Sequence, residues 1–76
     1  MKKFEIGKTY SDGEGIEIEV IKRTDKTVTF RFSKPNWFET DMYSEFRKKI
    51  SFESLEYEII HLGSHWAAPR ITAAEE

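Results

Sequence analysis

The chain has 76 residues, 34% of them charged, with a formal net charge of −2 and no cysteine. That length allows one small domain, and the missing cysteines exclude disulfides, thiolate nucleophiles and cysteine-ligated zinc together, so stability must come from packing. Eleven aromatic residues and eight isoleucines stand against two leucines, and all four alanines follow position 66, an inventory that suits pleated sheet rather than helix.

Phe4 to Tyr10 alternates apolar and polar side chains up to Gly7, which predicts a short first strand that bends at the glycine. Ser11 to Gly15 then reads as a connecting loop, because two glycines permit positive φ and Ser or Asp can bond to nearby backbone. The clearest signal is the hairpin from Ile16 to Phe32. Ile16, Ile18 and Val20 form the apolar row of its first arm, and Val28, Phe30 and Phe32 that of its second. The turn falls within Arg23 to Lys26, where the absence of glycine favours a four-residue loop built on a type I turn. Glu17 or Glu19 is expected opposite Arg31, and Ile21 interrupts the polar row.

Pro35 stops the second arm, so residues 34–41 are expected to be a loop holding two neighbouring aromatics, Trp37 and Phe38. As a helix the following residues would share a stripe poorly. As a strand, Ser44, Phe46, Lys48, Ile50 and Phe52 make a row of period two, with Tyr43, Glu45, Arg47, Lys49 and Ser51 outward. Residues 53–56 read as a turn or one helical turn, and Tyr57 to Leu62 as a strand with Glu58, Ile60 and Leu62 on one face. In the tail, Trp66 and Ile71 are anchors, Pro69 restricts pairing to a short edge strand, and residues 73–76 are expected to fray. The expected fold is an all-β, mainly antiparallel meander of about five strands over residues 1–76, curled into a small open barrel.

Two resemblances attach to these segments. The opening Phe-x-Ile-Gly-Lys-x-Tyr with its following hairpin resembles the entry of SH3-like small barrels, over roughly the first 33 residues. More widely, FEIGKTY, VIKRTDKTVTF, RKKI and SHWAAPRITA are similar to small proteins of gut Gram-positive bacteria, often encoded near phage or mobile elements. That likeness implies a bacterial or phage cytoplasmic origin and transfers no catalytic residue. Met1-Lys2-Lys3 is not followed by a signal-peptide apolar region, and no apolar run reaches the roughly 20 residues of a membrane span.

Charge is unevenly placed. Residues 1–21 sum to −2, residues 22–49 to +4 and residues 50–76 to −4. The blander explanation of the basic middle is pairing with acids across neighbouring strands. The functional one makes it a surface for an anionic partner. No cysteine nucleophile exists, neither histidine sits in a recognisable Ser or Asp arrangement, and Gly63 between His61 and His65 argues against a helical metal pair. The expectation is therefore a non-catalytic binding domain with no cofactor or metal. A protein partner or self-association leads, because so small a domain cannot bury eleven aromatics. Nucleic-acid binding by the basic central segment is the alternative. The candidate binding residues are Arg23, Lys26, Arg31, Lys34, Trp37, Arg47, Lys49 and Trp66, with Lys22 and Lys48 in the same basic segment.

Overall fold

The computed structural model describes residues 1–63 and 68–74. Six strands run in chain order: β1 (Thr9–Ser11), β2 (Glu17–Arg23), β3 (Thr27–Phe32), β4 (Phe46–Ser51), β5 (Ile59–His61) and β6 (Arg70–Thr72). They pair antiparallel with their sequence neighbours in the order β1-β2-β3-β4-β5-β6, and β1 and β6 come back together, so the meander curls into a nearly closed small barrel. Curling brings the two edge strands near each other, where a flat six-stranded meander would leave both exposed. The sixth strand is the expected tail strand, and residues 53–56 contain no helical turn, with bends at Leu55 and Glu56.

Alternation along the strands decides what enters the barrel. Ile16, Ile18 and Val20 point inward opposite Phe30 and Phe32, and each is at most 2% exposed. Phe30, Phe32 and Phe46 form an aromatic cluster with ring centroids 5.4 to 6.0 Å apart. Ile50 pairs with Ile60, which pairs with Ile71, continuing the core to the last strand.

The hairpin differs from the expected one in a consequential way. A β-bulge between Val20 and Lys22 leaves Ile21 as the extra residue, and the register resumes with Lys22 opposite Thr29 and Arg23 opposite Val28. One inserted residue exchanges inner and outer faces beyond it. Lys22 therefore points outward and Arg23 inward, the reverse of an unbroken alternation. Arg23 also belongs to β2, which leaves a turn of residues 24–26 closed by the Thr24 N–H donating to the Thr27 carbonyl at 2.9 Å. The Thr24 hydroxyl oxygen accepts from the Lys26 and Thr27 amides, so a threonine side chain satisfies the turn's backbone donors.

Three other expectations are corrected. The chain bends at Gly7 (φ +88°) as expected, but only Thr9–Ser11 is a strand, and Ile6 is 61% exposed while Phe4 is buried. β4 begins at Phe46 and ends at Ser51, so Ser44 and the half-exposed Phe52 lie outside the ladder. Ala73 does not fray: it is 2% exposed and its amide donates to the Glu58 carbonyl at 2.8 Å.

The N-terminal segment closes the barrel. Lys2 bridges Tyr57 in parallel, with its amide donating to the Glu56 carbonyl and its carbonyl accepting from the Glu58 amide, both at 2.9 Å. A few residues on, the Gly7 amide donates to the Val20 carbonyl at 2.8 Å and the Val20 amide to the Lys8 carbonyl at 3.0 Å. Residues 2–8 thus span from the lead-in of β5 to β2.

Candidate interaction site

The basic middle segment separates into three places. Arg23, drawn inward by the bulge, meets Glu58, a carboxylate only 1% exposed in the apolar row of Ile60 and Leu62. The pair is bidentate, Nη1 to Oε1 at 2.6 Å and Nη2 to Oε2 at 2.9 Å. Glu58 Oε1 also accepts from the Phe4 amide at 2.8 Å, while Arg23 Nη1 donates to the Phe4 carbonyl at 2.8 Å and Nε to the Thr24 carbonyl at 3.1 Å. Burial works against the Glu58 charge, but the guanidinium and the Phe4 N–H outweigh it and hold the carboxyl below its ordinary value. Arg23, in turn, is held above its ordinary value chiefly by its hydrogen bonds to Glu58. This candidate binding residue is a structural tie that joins β2, the N-terminal segment and the entry to β5. A glutamate set in an apolar row, which needs a buried cation, was the sequence signal for it.

The outer face of β2, β3 and β4 holds the second group. Lys22, Thr29 and Arg47 lie on one rung of the ladder and Thr27 and Lys49 on another, with Lys26 exposed in the adjoining turn. Thr29 is 7% exposed between its two cationic neighbours. Further along β3, Arg31 lies opposite Glu19 in register and forms an ion pair with Glu45 at 3.5 Å. Lys48, opposite Val28, faces inward and is half-buried.

The third place is the β3–β4 connection, residues 33–45, which contains Lys34 and Trp37. No ladder supports it. Side chains hold it instead: Asn36 Oδ1 accepts from the Phe38 and Glu39 amides at 2.8 and 2.7 Å, and Asp41 Oδ1 from the Tyr43 and Ser44 amides at 2.8 and 2.9 Å. Hydrogen bonds from the Ser44 hydroxyl and these two amides hold the Asp41 carboxyl below its ordinary value. The loop displays Trp37 at 68% and Tyr43 at 88% exposure. Trp37 stands edge-on to Phe38 (5.7 Å), and Phe38 leans on Phe32 (6.5 Å). Beside them opens a pocket of about 140 Å³ walled by Phe30, Phe32, Phe38, Phe46 and Leu62, with Glu39 and Lys48 at its polar side.

The candidate set therefore does not form one site. Lys26, Arg47 and Lys49 share one face with Lys22, Arg31 is tied to Glu45, Lys34 and Trp37 lie on the loop at the other end of β3, and Arg23 is internal. Trp66 and His65 lie outside the described residues. His61 is exposed and bonds to Glu53 at 3.0 Å. A wider cleft of about 650 Å³ at the β1–β6 seam mixes lysines with glutamates, and there Lys8 pairs with Glu5 at 2.9 Å. No group of three metal-ligating side chains converges among the described residues. No protein family, curated protein or solved structure matches the chain.

Proposed function

We propose that the chain is a non-catalytic docking domain that binds a protein partner through the β3–β4 connection, as a bacterial accessory protein of a phage or mobile element. The observation that carries this reading is Trp37, 68% exposed and braced by Phe38 beside an apolar pocket of about 140 Å³. Exposed apolar rings on a loop held by its own hydrogen bonds lose little conformational freedom on binding, which is what makes rigid aromatics effective anchors. The pocket has room for one branched aliphatic side chain of a partner. A second copy of the chain is the first partner to test.

The experiment is a displayed peptide library selected on the purified chain, with Trp37→Ala as counter-target. Enriched peptides that share an apolar anchor and lose at least about tenfold in affinity on Trp37→Ala, as for an interfacial hot spot, support the reading. No enrichment, or enrichment indifferent to Trp37, overturns it. Light scattering across concentration identifies the second copy as the partner where a dimer forms and Trp37→Ala returns it to monomer.

A further inference from the structure

The surface in question is a different one, at the opposite end of β3 from Trp37. Lys22, Lys26, Arg47 and Lys49 make no ion pair with any described residue, whereas Arg23 and Arg31 do. Three acids of this part of the molecule are engaged elsewhere. Glu58 is inside the barrel with Arg23, Glu45 is with Arg31, and Glu17 accepts from the Ser33 hydroxyl at 2.6 Å. Asp25, next to Lys26 in the turn, and Glu19, opposite Arg31, form no ion pair with any of the four. Four cations thus stand together without an ion pair to a described residue, on a protein whose net charge is negative.

Their spacing follows from the ladder. Lys22 and Arg47 flank Thr29 on one rung, two strand separations or about 9.5 Å apart at the backbone. Lys49 lies two residues along β4 from Arg47, a rise of about 6.8 Å. The rise of about 3.4 Å per phosphate in a duplex is an axial projection, and the phosphates wind around the axis and stand farther apart through space, so an interval of about 6.8 Å on the sheet is of the order of the distance between neighbouring phosphates. Thr27 lies on the same outer row with a hydroxyl able to donate to phosphate oxygens. No aromatic lies on these two rungs, so nothing here stacks on a base or reads its edges. A nucleic-acid backbone carries a charge on every unit whatever its sequence, whereas an acidic peptide would need Asp or Glu at every second position of an extended stretch, so the phosphate backbone is the more general match.

We infer that the outer quadrant formed by Lys22, Lys26, Arg47 and Lys49 binds the phosphate backbone of a nucleic acid without reading its sequence. The acidic remainder of the surface limits this to three or four phosphate contacts and makes it dependent on salt.

Fluorescence anisotropy of labelled duplex and single-stranded oligonucleotides of mixed sequence tests it. Affinity should fall between about 50 and 200 mM salt by about 40- to 150-fold for the duplex and about 20- to 50-fold for the single strand, the dependence expected for three to four phosphates. Arg47→Ala combined with Lys49→Ala should remove about half of the salt slope, while Lys34→Ala, on the distant loop, leaves it unchanged. Circular dichroism checks that the double variant is folded, and Lys22→Ala combined with Lys26→Ala is the second variant if it is not. The inference is overturned by no binding at about 50 mM salt, by a slope the quadrant variants do not change, or by polyglutamate of equal charge competing as well as the oligonucleotide, which would assign the surface to an acidic protein.

Discussion

Lys22 and Arg23 are consecutive residues of the same charge that end in opposite surroundings. Lys22 lies outside on a rung with Thr29 and Arg47, while Arg23 crosses into the barrel and grips Glu58 with both terminal nitrogens. The interior pair lives in a low-dielectric setting, where each charge depends on the other, and losing one partner leaves the other stranded. The outer cations are solvated, contribute little to stability, and remain free to act on a ligand. A basic stretch in a sequence therefore mixes two kinds of residue, those that hold the fold and those that remain available.

The contrast can be broken most directly at the interior. Arg23→Met leaves Glu58 buried and unpaired and should cost about 3 to 5 kcal/mol in denaturant unfolding. Arg23→Met with Glu58→Leu should recover most of that loss, because no charge is then stranded. A single variant as stable as the parent would show that Arg23 is an ordinary surface cation. Phe30→Ala, in the aromatic cluster one rung from the outer cations, should cost about 3 to 5 kcal/mol through the cavity it leaves.

Acid titration sharpens the same comparison. A carboxyl held below its unfolded-state value contributes stability that is complete above the ordinary glutamate value of about 4.3 and disappears as the pH falls through its lower folded-state value. Unfolding midpoints should therefore drop on acidification below about pH 4. Glu58→Gln should show a shallower drop, with Asp41 still contributing in the same direction. A Glu58→Gln profile as steep as the parent's would mean that the buried pair is not what acid breaks.

Smaller effects follow at the periphery. Gly7→Ala meets no steric obstacle, but φ of +88° is costly for any residue with a Cβ, about 1 to 2 kcal/mol. Lys22→Ala should change stability by no more than about 0.5 kcal/mol, as expected for an exposed side chain that makes no ion pair with a described residue. A loss comparable to that of Arg23→Met would erase the distinction between the two neighbours.

The inner rows of the hairpin were legible because Ile16, Ile18, Val20, Val28, Phe30 and Phe32 repeat every second residue, and only one face of a curled sheet is dry. The β4 row was legible for the same reason, although Lys48 sits within it. The inward turn of Arg23 is not legible in the sequence, because the bulge adds a residue without any glycine or proline to announce it. The one trace was Ile21 in the polar row followed by Lys22 in the apolar one. Ala73 was assigned to a fraying end because small residues near a terminus carry no pattern, while its burial depends on the entry to β5 lying alongside.

By itself, the sequence determined an all-β meander, the apolar wall of its central hairpin, and a basic middle segment between acidic ends. These follow from local alternation and composition, which need no knowledge of distant neighbours. Only the tertiary structure decided which cations are inside and which are out. Glu58 lies 35 residues from Arg23 in the chain, and nothing local in either segment specifies that the bulge in β2 will turn the one toward the other. Closing the barrel brings them together, and with Arg23 inside, Lys22, Lys26, Arg47 and Lys49 share the outer face without an ion pair to a described residue.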